Sequence, residues 1–142
     1  MSLQRAFTIG ASGLTAQRTR METVASNLAN ARTTRTAEGG PYRRREPVFT
    51  AEPVRTSFGE TLGRALRAVR VERIATDPSA PVLRHEPGHP DADEQGFVAY
   101  PNVDPVREMV DMMSATRSYE ANVTLISGIR SMVRSALEIS RG

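Results

Sequence analysis

The N-terminal part of the chain reads LQRAFTIGASGLTAQRTRMETVASNLANA, residues 3–31. Positions along it recur at alternating spacings of four and three residues, the repeat that places side chains along one side of a long helix. They are Leu3, Phe7, Gly10, Leu14, Gln17, Met21, Val24, Leu28 and Ala31, and all but Gly10 and Gln17 are apolar. A helix of about 30 residues is about 45 Å long, so the pattern predicts an extended helix packed along a partner helix.

The C-terminal part repeats this pattern. Asn102 or Asp104 is a suitable N-cap, Pro105 fits a first helical turn, and no proline follows. The repeating positions are Met109, Met112, Thr116, Tyr119, Val123, Ile126, Arg130, Val133 and Leu137. Further apolar residues widen this face, namely Val106, Val110, Met113, Ile129 and Met132. A face this wide needs burial against more than one neighbouring helix.

The two predicted helices are expected to pack antiparallel, in a register that places Met21 against Tyr119. The same register pairs opposite charges, Arg20 with Glu120 and Arg32 with Glu108. Glycines at positions 10 and 13 each cost the first helix about 1 kcal/mol relative to alanine, and the one at position 10 leaves a thin place in the seam. We therefore expect both ends of the chain to gain lasting order only when neighbouring copies cover them.

Residues 36–103 change in character. Gly39-Gly40-Pro41 indicates a turn, and three segments favour strands or extended backbone: Tyr42–Phe49, Ala68–Thr76 and Ala80–Glu86. Gly96–Tyr100 favours another short strand, whereas Thr56–Arg67 is ambiguous between a loop and a short helix.

The predicted fold is α+β, a long antiparallel helical hairpin with coiled-coil-like packing and a small, irregular β-rich insert. The predicted divisions are an N-terminal helix in residues 1–35, the insert in 36–103 and a C-terminal helix in 104–142.

Charge is unevenly distributed along the chain, although the net charge is only +3. Residues 1–45 contain eight arginines and two glutamates, whereas residues 86–120 contain eight acidic residues and two arginines. A nucleic-acid-binding protein usually gathers positive charge on one surface. Because each charged block here has an opposite block in the same chain, we favour pairing within or between subunits over an arginine-rich nucleic-acid binder, and expect no nucleic-acid partner.

Composition excludes several classes of site. The 142 residues include no cysteine, so disulfides, thiol nucleophiles and cysteine-ligated metals are ruled out. No apolar run approaches the roughly 18 residues of a membrane helix, and direct membrane insertion is not expected. Thr8, Ser12 and Thr15 interrupt the apolar run near the N-terminus, so a cleaved secretory signal is not expected either.

The most metal-like cluster is HEPGHPDADE, residues 85–94. Histidine and carboxylates are legitimate ligands, which leaves a metal-dependent hydrolase as an alternative. Its prolines and glycine indicate a turn, and no known catalytic spacing occurs, so we favour a solvated loop. The YRRRE run, residues 42–46, can bind phosphate in principle but is more typical of a protein interface. We predict no catalytic residue, metal ligand or cofactor.

Longer motifs carry a resemblance. ASGLTAQRTRMETVASNLANARTT (residues 11–34) resembles the N-terminal signature of bacterial flagellar rod and hook proteins. GGPYRRR (39–45), EPGHPDADEQGFVAYPNVD (86–104) and VREMVDMMSATRSYEANV (106–123) are similar to the proximal rod branch of that family. Distal rod and hook-type axial proteins remain an alternative within it.

This resemblance implies a non-enzymatic structural subunit of the flagellar basal body. It implies polymerisation into the periplasm-spanning rod around a central export channel, with copies of the chain and neighbouring rod proteins as partners. It also implies delivery by the flagellar type III export apparatus without a cleaved signal. By position, the family's terminal-helix motifs fall on Leu14, Asn27, Leu28, Asn30, Tyr119, Glu120 and Asn122. With the seam residues, they form the predicted assembly interface.

Overall fold

The computed structural model describes residues 3–54 and 66–139. Within them lie α1 (Leu3–Ala29), β1 (Arg45–Pro53), β2 (Arg67–Thr76), β3 (Val82–His85), β4 (Phe97–Tyr100) and α2 (Pro105–Ile139). Helices at both ends and small antiparallel sheets between them confirm the α+β class. The three-part division stays a prediction. Parts of the predicted segments lie outside the described residues. They are residues 1–2 and 140–142 of the two outer segments, and residues 56–65 of the stretch predicted as a loop or a short helix.

Local side-chain bonds define the helix boundaries that face the insert. After α1, the Asn30 side-chain amide donates to the Ser26 carbonyl at 2.9 Å. Before α2, a carboxylate oxygen of Asp104 accepts a bond from the Val106 backbone N–H at 2.9 Å. Asp104 is thus the N-cap, one of the two predicted, and it satisfies a donor that has no partner inside the helix.

The larger sheet is the antiparallel pair β1–β2, with Arg45 opposite Thr76 and Pro53 opposite Arg67. Its register shifts between Val48 and Phe49, as in a β-bulge. The first strand was predicted at residues 42–49, but it begins at Arg45 and runs to Pro53. Since a two-stranded sheet consists of two edge strands, a proline inside β1 is tolerated.

The smaller sheet pairs β3 with β4, Val82 opposite Tyr100 and His85 opposite Phe97. The loop of residues 86–96 joins the two strands. Gly96 in this loop has a φ of 82°, and a Cβ there would lie 3.1 Å from Nε2 of His85. Position 96 therefore favours glycine on both backbone and steric grounds.

The two helices contact each other more extensively than any other pair of elements, and α1 also contacts both strands of the larger sheet. Ser12 in α1 accepts a hydrogen bond from the Val69 backbone N–H of β2 at 3.2 Å. Among the residues that the structure describes, the buried apolar ones are few and mostly small: Ala16, Val24, Tyr42, Val98, Ala115 and Ile129. The core is thus narrow and lies mainly along the contact between the helices.

Candidate functional site: the facing surfaces of the two helices

Glycines in α1 allow a close approach of α2. A Cβ at Gly10 would lie 3.0 Å from Cγ1 of Ile126, and one at Gly13 would lie 2.9 Å from Nδ2 of Asn122. Ordinary carbon contacts need more room than this. The prediction that Gly10 leaves a gap in the contact between the helices is therefore wrong, because α2 occupies the space that the absent side chain leaves.

A buried polar cluster lies at the other end of this contact. The Asn27 side-chain amide donates to Oε2 of Glu108 at 3.0 Å, and Nε of Arg44 donates to Oε1 of the same carboxylate at 2.6 Å. Asn27 and Glu108 are fully buried. Both carboxylate oxygens are thus bonded, which a buried charge requires. We call Asn27, Arg44 and Glu108 the polar lock.

The remaining bonds of Asn27 tie the polar lock to the segment before β1. Its amide also donates to the Arg45 carbonyl at 2.8 Å. Its Oδ1 accepts from the Tyr42 hydroxyl and from the Arg45 backbone N–H, each at 2.9 Å. The side chain therefore uses two donor and two acceptor contacts, its whole ordinary capacity.

Arg44 remains a strong cation in this position. Burial lowers the pKa of Arg44. The hydrogen bond to Glu108 and the negative charge of Glu108, with a contribution from Glu46, raise this pKa by more than burial lowers it. The pKa of Arg44 therefore lies above the ordinary arginine value. A second carboxylate, that of Asp111, lies 3.8 Å from the Arg44 guanidinium and 3.1 Å from that of Arg20. The first turns of α2 thus hold two acidic groups against arginines from elsewhere in the chain.

These contacts overturn the predicted register of the helices. Arg20 pairs with Asp111 instead of Glu120, and the hydroxyl of Thr116 lies 3.6 Å from the Met21 sulfur, a position predicted for Tyr119. The prediction treats its opposite-charge pairs as exposed, each worth under about 1 kcal/mol, whereas the structure buries Glu108 fully. The structure instead brings the helices together through close contacts at the glycines and through the polar lock.

Burial divides the predicted interface residues into three groups. Val24 and Asn27 are buried. Half-buried positions are Phe7, Leu14, Met21, Leu28, Asn30, Met112, Tyr119, Asn122, Ile126 and Val133. Exposed positions are Leu3, Met109, Glu120, Val123 and Leu137. Their part in contacts with other subunits stays a prediction.

Several facing residues were missed. Ala16, Thr23 and Ala115 are buried but are not among the predicted interface residues, and Glu108 is predicted there only as the partner of Arg32. A second heptad spacing carries part of the signal: Glu108, Ala115, Asn122 and Ile129 recur every seven residues, one position before the predicted set. Three of these four side chains, Glu108, Ala115 and Asn122, are polar or small, which hides the spacing from a search for apolar repeats.

An apolar ridge remains exposed at the start of α2. Val106, Met109, Val110 and Met113 are 70%, 53%, 60% and 58% exposed. Spacings of three, four and seven residues place the four on one face of the helix. We call them the outer ridge. Scattered exposed apolar residues are ordinary, but a contiguous set points to a surface that another molecule covers.

Asp93 and His89 of the predicted metal-like loop bond backbone N–H groups in or next to the loop. Oδ1 of Asp93 accepts from the Gln95 and Phe97 backbone N–H groups at 2.9 and 2.8 Å. Nδ1 of His89 accepts from the Asp91 backbone N–H at 3.1 Å. Among residues 3–54 and 66–139, no group of three or more His, Cys, Asp or Glu is arranged to hold a metal ion.

Neither of the two described helices has the length and apolar character needed to cross a membrane.

Comparison with known proteins confirms the resemblance. Residues 7–35 match the family "Flagella basal body rod protein", and residues 94–139 match "Flagellar basal body rod FlgEFG protein C-terminal". The chain is 42% identical to the flagellar basal-body rod protein FlgC of Borreliella burgdorferi, over 100% of both chains. It is 43% and 40% identical to those of Bacillus subtilis and Escherichia coli O6:H1, over 99% of this chain and 100% of each relative. The chain therefore belongs to the FlgC family of flagellar basal-body rod proteins, structural components of the flagellum.

Proposed function

We propose that α1 and α2 form an antiparallel hairpin with coiled-coil-like packing, and that this hairpin builds the subunit into the flagellar rod. Its partners are copies of the chain and the neighbouring rod proteins. In this proposal the rod spans the periplasm around the export channel. The family assignment supports a structural role. The predicted interface residues lie on the two helices, except Asn30, which directly follows α1.

The outer ridge is the observation that carries this proposal. The polar lock and the glycine contacts account for one face of α2, whereas Val106, Met109, Val110 and Met113 remain exposed. Burying four such side chains against a neighbour would contribute about 1.5–3 kcal/mol each at most. A helical filament needs contacts of this kind that do not close on themselves, and a long apolar helix face supplies them.

Delivery by the flagellar type III export apparatus, without a cleaved signal, is part of the same proposal. A small core with few buried apolar residues supports it, because a chain that travels unfolded must unfold at low cost. The wide exposed face of α2 supports it as well, since assembly then supplies the burial that the single chain lacks.

Distal rod and hook-type roles are the nearest alternative, and similarity to FlgC proteins over 99–100% of the chain disfavours them. A metal-dependent hydrolase is disfavoured because His89 and Asp93 bond the loop backbone. A nucleic-acid binder is disfavoured because Arg20 and Arg44 pair with carboxylates of α2. The proposed function includes no catalytic step.

Val110→Asp tests the proposal. It places a charge in the outer ridge without touching the polar lock, so the purified variant should keep the helix content of the native protein. Cells carrying it should export the subunit yet build no rods and not swim. Ala51→Asp, at an exposed position of β1, is the matched control and should leave rod assembly intact. Normal rods and motility with Val110→Asp would contradict the proposal.

A further inference from the structure

The polar lock connects three distant parts of the chain. Asn27 lies in the last turns of α1, Arg44 directly precedes β1, and Glu108 lies in the first turn of α2. The Asn27–Glu108 bond spans 81 positions of sequence and the Arg44–Glu108 bond spans 64. We propose that the polar lock fixes the register in which α1 and α2 pair, and thereby determines which apolar side chains of α2 face neighbouring subunits. The second part rests on the proposed function.

A shift of one helical turn would break the polar lock completely. Such a shift moves Glu108 by about 5.4 Å along the helix axis, beyond hydrogen-bond reach of both Asn27 and Arg44. The fully buried Glu108 carboxylate would then lack both partners, and the Asn27 amide would lose one of its four hydrogen bonds. Breaking a buried charge pair by removing its partner costs about 3–5 kcal/mol, far more than the surface charge pairs that favour other registers.

Apolar packing alone leaves the register open. The heptad pattern of the sequence is compatible with Met21 opposite Tyr119, whereas the structure brings Met21 to Thr116. Those two arrangements differ by about one turn and bury comparable side chains. A single buried polar residue is known to select one register among several similar ones in coiled coils, at some cost in stability.

Glycine packing is the competing explanation. Gly10 and Gly13 also meet particular residues of α2, Ile126 and Asn122, and this fit also favours one register. The two explanations make different predictions for a chain that lacks the polar lock and keeps both glycines. If the polar lock governs, the helices of that chain populate a second register; if the glycines govern, they do not.

The absence of native cysteine permits a direct test with two reporter pairs in the full-length chain. Met21→Cys with Thr116→Cys reports the register of the structure. Met21→Cys with Tyr119→Cys reports the shifted one. With the polar lock intact, we expect disulfide formation in the first pair to be at least tenfold faster than in the second.

Two changes to the polar lock are then compared. Asn27→Leu, Arg44→Leu and Glu108→Leu together replace all three of its side chains by apolar ones, so that no buried charge is left unpaired, and the two disulfides should then form at comparable rates. Asn27→Asp sets two carboxylates against each other and should favour the shifted pair. Adding Glu108→Gln to Asn27→Asp removes this repulsion and should shift the ratio of the two rates back towards the first pair. The recovery should be incomplete, because the Arg45 carbonyl, which accepts from the Asn27 amide in the native chain, then faces a carboxylate oxygen. A merely structural loss would not be rescued in this way.

The relative rates of disulfide formation distinguish the polar lock from the glycines as the determinant of the register. Fast formation of only the Met21–Thr116 disulfide in every background would overturn the register proposal and assign the register to the glycines. Failure of that disulfide with the polar lock intact would overturn it too. A shifted register in variants that still build normal rods would leave the polar lock as the register determinant and contradict the proposed function of the hairpin.

Discussion

The side-chain amide of Asn27 in α1 donates a hydrogen bond to the carboxylate of Glu108 in α2 at 3.0 Å, and neither side chain is exposed to solvent. Because Arg44 holds the other carboxylate oxygen, this contact joins both helices to the segment before the larger sheet. A satisfied buried polar group and close glycine contacts thus join the helices, beside a narrow set of buried apolar residues.

Glu108→Ala should reduce the free energy of unfolding by about 3–5 kcal/mol. It leaves the buried Asn27 amide and the largely buried Arg44 guanidinium without their shared acceptor. Urea denaturation followed by circular dichroism measures the change. Glu138→Ala, at an exposed position of the same helix, is the control and should shift the free energy by under about 0.5 kcal/mol. Equal effects of the two substitutions would refute the importance of the polar lock.

Two glycine substitutions should act in opposite directions. Gly128→Ala should stabilise the isolated protein by about 1 kcal/mol, because alanine is the better helix former and a Cβ there meets nothing within 4 Å. Gly13→Ala should gain nothing or destabilise, because its Cβ would lie 2.9 Å from the Asn122 side chain. Thermal unfolding of the two variants checks the order. A higher melting temperature for Gly13→Ala than for Gly128→Ala would contradict the close approach of the helices.

Leu28→Asp should abolish motility while export continues. Leu28 is half-buried on α1, and a carboxylate there would need to be desolvated in the assembled rod. Swarming assays and counts of rods in isolated basal bodies measure the effect, and secreted subunit in the medium reports export. Ala29→Asp, an exposed neighbour, should be tolerated. Swimming at the native rate with Leu28→Asp would count heavily against assembly through the helices.

Tyr100 should report on the loop between β3 and β4. Its hydroxyl donates to Glu86 at 2.8 Å, and this bond, followed by desolvation and the Glu86 charge, raises the pKa of Tyr100. A raised pKa means that this stabilisation is complete below the ordinary tyrosine value and is lost as the pH rises through the raised one. Glu86→Ala should lower the pKa of Tyr100 in an ultraviolet difference titration, with Tyr100→Phe identifying its signal.

Glu94→Ala is the control for that titration, since it removes an exposed carboxylate from the same loop. It should leave the titration of Tyr100 in place. An unchanged tyrosine profile in Glu86→Ala would show that the Tyr100–Glu86 hydrogen bond has no effect in solution.

Hydrogen exchange should be graded along the helices of the isolated chain. Amides near the polar lock, in residues 20–29 and 108–115, should exchange slowest. Those near the free ends should exchange fast, because Leu3 and Leu137 are exposed and few tertiary contacts oppose local opening there. Uniform protection over both helices would contradict the expectation that neighbouring copies complete the order of the ends.

Much of the architecture is readable from the sequence. Both long helices, the Asp104 N-cap and the strand around residues 68–76 follow from heptad spacing, capping chemistry and β-branched residues. The start of β1 does not, because Tyr42 is used in the core and bonds Asn27, which no local pattern reveals.

On the surface of α2 that faces α1, the predicted positions are offset by one residue from the positions that the structure buries. Met109 and Val123 are more apolar than Glu108 and Asn122, so hydrophobicity placed the exposed residues in the seam. Burial of the Glu108 carboxylate can be predicted only if its partner is known. Arg44, which is that partner, lies 64 positions away in the sequence. Long-range polar pairing is therefore the part of the site that local sequence patterns do not contain.

The central claim is that neighbouring subunits cover the outer ridge of α2 in the rod. Val110→Cys tests it most directly, because the native chain has no other thiol and Val110 is 60% exposed. We predict rapid labelling by a maleimide in the isolated subunit and at least tenfold slower labelling in intact basal bodies. Equally rapid labelling in both would contradict the account.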